Sequence, residues 1–107
     1  GVFVAEAQTG GRGRRGNAWL SAPGENLTFS LLLRLPVPPE RTSTLALVVG
    51  LALRSTIGSV LDEARIPLPA TVKWPNDVLV GERKVAGILV ETRVRDGETA
   101  AVVGVGM

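Results

Sequence analysis

The chain contains no cysteine, no histidine and no tyrosine. Without cysteine there is no thiol nucleophile, no disulfide and no thiolate metal ligand. Without histidine, neither a Ser-His-Asp triad nor the usual zinc sites can be assembled from these residues. Any catalysis must therefore draw on Lys, Arg, Asp, Glu, hydroxyls and backbone N–H groups. That set suits the stabilisation of anions and transfer from activated phosphates. Net charge is also scarce, at +2, although the isoelectric point is near 9.9. Bulk electrostatics of that size do not argue for nucleic-acid binding, so positive charge matters only where it is local. The apolar stretches are broken by Arg, Ser or Thr before membrane-spanning length, and no signal peptide is recognisable.

What is present is one domain's worth of material. The 107 residues are 45% hydrophobic and 21% charged, enough for a real core but few for a complete enzyme. The start at Gly1-Val2-Phe3 and the end inside the apolar run Gly104-Val105-Gly106-Met107 lead us to expect that residues 1–107 are part of a larger domain, truncated at both ends.

Two hydrophobic periods divide the chain. Val2 to Glu6 and Leu27 to Leu35 read as strands, the second closed by Pro36, Pro38 and Pro39. From Thr44 to Ala64, Leu45, Val48, Val49, Ala52, Leu53, Ile57, Val60 and Leu61 recur at three- and four-residue steps. This predicts one long helix, capped by Thr42 or Ser43, stopped by Pro67 and Pro69, and packed on a sheet through a broad apolar face. Segments 71–74, 77–80, 84–92 and 100–105 are again strand-like, with Gly81-Glu82-Arg83 and Asp96-Gly97 as hairpin turns. Strands and hairpins around a single long helix predict an α+β domain.

Four segments carry candidate chemistry. Gly10-Gly11-Arg12-Gly13-Arg14-Arg15-Gly16-Asn17 places three arginines among glycines. Arginine's fork of donors suits phosphate or carboxylate, and glycine lets backbone N–H groups approach a ligand. Such a self-repelling loop is expected to order only around an anion. The composition also suits a basic linker or an RNA-binding segment, but the loop is single, lies between apolar strands and has only Trp19 as an aromatic neighbour. In Lys73-Trp74-Pro75-Asn76-Asp77, the proline interrupts a strand end, so Asn76 and Asp77 can face a ligand, and Asp77 could hold Mg²⁺ beside a nucleotide. Asn-Asp after proline is equally ordinary turn chemistry. Lys84 enters an apolar strand beside the small residues Ala86 and Gly87, where it can reach an anion, or simply snorkel to solvent. Gly104 and Gly106 alternate, leaving one strand face bare for a flat or bulky ligand.

Taken in order, these segments resemble the catalytic domain of biotin protein ligases. The matching residues are Ala5-Glu6-Ala7-Gln8-Thr9-Gly10-Gly11-Arg12-Gly13-Arg14-Arg15-Gly16 with Trp19, Lys73-Trp74-Pro75-Asn76-Asp77-Val78-Leu79, Arg83-Lys84-Val85-Ala86-Gly87-Ile88-Leu89-Val90-Glu91, and Gly104-Val105-Gly106. The resemblance implies a class II aminoacyl-tRNA synthetase-like catalytic domain, here partial, with a mixed or antiparallel sheet packed by helices. It implies that biotin and MgATP form biotinyl-5′-AMP, and that a lysine of a carboxylase's biotin carboxyl carrier domain then takes the biotin. By the same resemblance Lys84 and Arg14 are catalytic. Gln8, Gly11, Arg12, Gly13, Arg14, Lys84, Gly87, Leu89, Gly104 and Gly106 hold biotin. Arg14, Arg15, Trp19 (near the adenine), Lys73, Asn76 and Asp77 serve the nucleotide, with Asp77 on the Mg²⁺. It further implies a cytoplasmic protein with no membrane partner and no nucleic-acid partner for this region, and leaves a homodimer open. A Ser-Thr-Asn segment upstream of Gly1 and an Asn following Met107 are implied as further parts of the site. Asn17 departs from the pattern, since many members carry arginine there, which points to a weaker or rearranged grip on the adenylate. A lipoate–protein ligase, or a nucleic-acid-binding module built on the arginine loop, remain the alternatives.

Overall fold

Alternation along one strand separates the two faces on which the fold is organised. In β2 (Thr28–Leu35), Phe29, Leu31 and Leu33 point one way, and Thr28, Ser30 and Leu32 the other. A computed structural model describes all of residues 1–107. It places β2 in a six-stranded sheet with β1 (Val2–Ala5), β3 (Ala70–Lys73), β4 (Asp77–Val80), β5 (Arg83–Arg95) and β6 (Glu98–Gly106), in the order β1-β2-β6-β5-β4-β3. Every neighbouring pair is antiparallel, so the sheet is not mixed. One helix, α1 (Leu45–Glu63), packs on one face. The α+β expectation holds with a single α-helix, not several.

The core lies between α1 and the central strands. Ile88, Val103 and Val105 are almost wholly buried, and Phe29, Leu31, Leu33, Leu45, Val49 and Leu53 close around them. Val103 is 0% exposed, so Val103→Ala is expected to cost about 2 kcal/mol of stability. Urea unfolding of the full-length protein that carries this chain measures it.

The helix departs from expectation in three respects. Thr42 and Ser43 do not cap it. They lie in a 3-10 segment, Pro39–Thr44, where their hydroxyls donate back to the carbonyls of Pro39 (2.6 Å) and Glu40 (3.1 Å), and α1 starts with no side-chain cap. A hydroxyl inside a 3-10 turn has the i−3 carbonyl within reach, and that bond replaces capping. The inward stripe is also narrower than the sequence period implied. Leu45, Ala46, Val49 and Leu53 meet the core and Gly50 is buried, whereas Val48 and Val60 of the expected face are each 58% exposed. Finally, Pro39–Glu63 is long and apolar enough to cross a membrane by length and composition alone. The sequence predicts that every apolar run falls short of that; the inward stripe of this one is engaged with the sheet.

Both hairpin expectations hold. Asp96 (φ 52°) and Gly97 (φ 77°) form the two-residue turn from β5 to β6, both in the left-handed region that such a turn requires. Gly81 (φ 60°) turns β4 into β5. Between those two strands the register slips at Val78/Leu79: Val78 pairs with Ala86 but Leu79 pairs with Lys84, leaving Val85 as the extra residue of a bulge.

Candidate active site

The sheet face away from α1 is laid out in rows of directly paired residues. The first runs Thr28–Gly106–Gly87–Asp77–Lys73, the second Ser30–Gly104–Leu89, and the third Leu32–Val102–Glu91. The glycines expected to clear a slot thus stand side by side, two in the first row and one in the second. Lys84 joins this face only because of the bulge. In a regular strand, residues 84 and 87 would point to opposite faces; the extra Val85 reverses the parity, and the Lys84 side chain lies beside Gly87.

The glycine-arginine loop folds over these rows as a tied unit. Arg12 and Ala18 form an isolated bridge, Gly13 N–H donates to the Asn17 carbonyl (2.6 Å), and Trp19 N–H donates to the Gly11 carbonyl (3.0 Å). Gly11 is required there, because a Cβ would run into the carbonyl oxygen of Trp19. Protein groups receive two of the loop's arginines in this course. Arg12 Nη2 lies 3.2 Å from Glu91 Oε1, and Arg14 Nη1 donates to Asn76 Oδ1 at 3.4 Å. Asn76 is itself fixed by reciprocal bonds with Ile88, its Nδ2 donating to that carbonyl (3.0 Å) and its own carbonyl accepting from the Ile88 N–H (2.9 Å). Arg15 is exposed at φ 58° and does not line the cleft.

Trp19 lies flat on the first row. A Cβ at Gly87 would sit 2.9 Å from its ring, and one at Gly106 closer still. The Lys84 ammonium stands 5.0 Å from the ring centroid, a cation–π arrangement, and 3.0 Å from Asp77 Oδ1. That oxygen is buried and takes no well-angled hydrogen bond, so the contact is ionic.

What remains open is a cleft of about 260 Å³. Its floor is the second row, where a Cβ on Gly104 would meet only the Leu89 carbonyl at 3.6 Å. Trp19 closes one side and the Arg12–Glu91 pair the other. Of the expected residues, Gln8, Arg12, Gly13, Arg14, Trp19, Asn76, Lys84, Gly87, Leu89, Gly104 and Gly106 line the cleft. Gly11 shapes the loop, and Lys73 extends the first row outside the lining. Asp77 reaches the cleft through Lys84. The sequence reading assigned no role to Thr28, Ser30 or Glu91, which also line it. Alternation in β2 could have put Thr28 and Ser30 on the polar face, but their position opposite the glycines is a matter of long-range pairing.

The residue chemistry is that of an anion site over an uncharged floor. Three cations, Arg12, Arg14 and Lys84, face a slot with no side chain at Gly104. No group of three metal-ligating residues occurs in the chain. Mg²⁺ needs only one or two protein carboxylates when it arrives on phosphates, and Asp77 fits that lesser demand.

Comparison with known proteins shows the family. A family model described as the biotin/lipoate A/B protein ligase family matches residues 1–107. The bifunctional ligase/repressor BirA of Escherichia coli K12 is 41% identical over 101 residues, covering 94% of this chain and 30% of that protein. The biotin–[acetyl-CoA-carboxylase] ligase of Mycobacterium tuberculosis is 36% identical, covering 99% of this chain and 38% of that protein. Among solved structures, the biotin protein ligase of Aquifex aeolicus in complex with biotin and ATP superposes with a TM-score of 0.75 at 37% identity, covering 99% of this chain and 41% of that one. The chain thus spans between 30% and 38% of the length of these curated relatives.

Proposed function

Since the chain belongs to the biotin/lipoate A/B protein ligase family, we propose that it forms the adenylate-handling part of a biotin–[carboxyl-carrier protein] ligase. The observation that carries this reading is the gap at Gly104 in the second row, between Ser30 and Leu89, faced by Arg12, Arg14 and Lys84. A flat bicyclic ligand needs a gap in the floor where no side chain rises, and its carboxylate needs cations at the end where it meets a polyphosphate. The solved relative that holds biotin and ATP supports the pair of substrates.

In the proposed reaction a biotin carboxylate oxygen attacks the α-phosphorus of ATP, and the bond to the pyrophosphate leaving group breaks. The two anions repel as they meet. Lys84 and Arg14 offset that repulsion and stabilise the charge on the transferring phosphorus. Arg15, exposed and unengaged, is available to the adenylate phosphate. Trp19, over the first row, walls the slot and keeps water from the mixed anhydride. Its seat on Gly87 and Gly106 puts it beside the biotin floor, so its proposed contact with adenine must come from the ring's outer edge or face. Lys73, Asn76 and Asp77 serve the nucleotide. Mg²⁺ supplies charge neutralisation on the phosphates, with Asp77 as its protein ligand. A lysine amine of a biotin carboxyl carrier domain then attacks the carbonyl carbon, and AMP leaves. A cytoplasmic location is part of the same proposal.

The full-length protein is expected to exchange labelled pyrophosphate into ATP only when biotin is present. Exchange with lipoate in place of biotin overturns the assignment. Biotin-independent, salt-sensitive binding of random RNA, with no exchange, favours a nucleic-acid module instead.

A further inference from the structure

The sheet face that carries the cleft continues past its first three rows. The fourth row is Arg34–Ala100–Arg93, and the fifth pairs Arg95 with Glu98. Arg34, Arg93 and Arg95 are all exposed. The two ion pairs of the chain, Arg12–Glu91 and Lys84–Asp77, use none of them. Arg93 donates only to the neighbouring Thr92 carbonyl (3.3 Å), which leaves its charge unmatched. On these two rows a single carboxylate, Glu98, stands among three arginines.

Between the basic row and the cleft floor lies the third row, where Leu32 is 41% and Val102 40% exposed. Val102 also lines the cleft, so the cleft opens onto this apolar step and the arginines behind it. At about 3.4 Å per residue along β6, Ala100 lies about 14 Å from Gly104 and about 20 Å from Gly106. A folded domain of about 100 residues has a radius of gyration of about 13 Å. A domain that presents a lysine to an adenylate on this floor is therefore wide enough to cover the fourth row too. There it meets two unpaired guanidinium groups beside an apolar step, which carboxylates around an apolar patch would complement. We propose that the Arg34–Ala100–Arg93 row, with Leu32 and Val102, is the docking surface for the carrier domain, which turns an acidic face to it. This rests on the ligase reading above and adds how the protein partner is recognised.

The test uses the full-length protein and a purified biotin carboxyl carrier domain. Arg34→Glu/Arg93→Glu is expected to raise the KM for the carrier about tenfold or more, with kcat, pyrophosphate exchange and the thermal midpoint unchanged. Added salt should raise the wild-type KM and lower the variant's, since it screens attraction in one and repulsion in the other. Hydroxylamine, a nucleophile too small to touch the row, should capture the activated biotin equally fast with both proteins. A carrier KM within about twofold of wild type, or hydroxylamine capture that falls along with carrier transfer, overturns the docking surface. So does a lowered thermal midpoint with loss of exchange, which makes the row structural. Altered binding of random RNA, or altered self-association, with the carrier KM unchanged assigns the row to another partner and overturns it too. Biotin-dependent exchange with an unchanged carrier KM defeats the docking surface alone. Wild-type protein without such exchange defeats the ligase reading and the docking surface together.

Discussion

Biotin-dependent pyrophosphate exchange is expected to fall about 100- to 1,000-fold when Lys84 is replaced by alanine in the full-length protein. The ammonium stands between Asp77 Oδ1, the Trp19 ring and the bare floor beside Gly87. It is the point charge best placed to meet a carboxylate as it closes on a phosphate, and its benefit grows as charge develops in the transition state. The substitution has a second effect that must be separated from the first. Asp77 Oδ1 is buried with no other partner, so removing Lys84 leaves a carboxylate oxygen uncompensated, at a cost of about 1–3 kcal/mol or more of stability. The double variant Lys84→Ala/Asp77→Asn removes that stranded charge. Exchange in the double variant that stays well below that of Asp77→Asn alone, while the thermal midpoint recovers, assigns Lys84 to the chemistry. If single-variant exchange matches wild type, Lys84 has no such role.

Gly104→Ala is expected to weaken biotin binding about 10- to 200-fold with little change in stability. The added methyl meets only the Leu89 carbonyl at 3.6 Å in the empty protein, an ordinary contact. Its cost appears only when a ligand lies on the second row. Gly106→Ala provides the contrast. There the methyl would sit within 2.7 Å of Trp19 ring carbons, so the ring must shift even without ligand, and both stability and binding should drop. Calorimetric titration with biotin and thermal unfolding of the two variants separate these cases. Binding by Gly104→Ala as tight as wild type would remove the second row from the site.

Much of this was legible along the chain. The alternation of Thr28 to Leu35, the four-residue steps of Leu45, Val49 and Leu53, and the Asp96-Gly97 turn are local patterns, and the elements formed where those patterns lie. The exceptions have local causes too. Backbone carbonyls within the 3-10 segment took the hydroxyls of Thr42 and Ser43. Apolar residues on both sides of α1 made its buried stripe look broader than it is.

Residue types alone excluded thiol and histidine chemistry and narrowed the site to cations, carboxylates and backbone N–H groups, because those properties belong to side chains wherever they end up. The motifs named the family for the same reason. The arrangement was decided only in three dimensions. A one-residue bulge at Val85 turned Lys84 onto the glycine face, and cross-strand register aligned Gly106 with Gly87 and Gly104 with Leu89. The loop brought Arg12 to Glu91 and laid Trp19 on the first row. Parity along a strand reverses with a single inserted residue, and pairing between distant strands follows from how whole faces bury. No window of neighbouring residues contains that information.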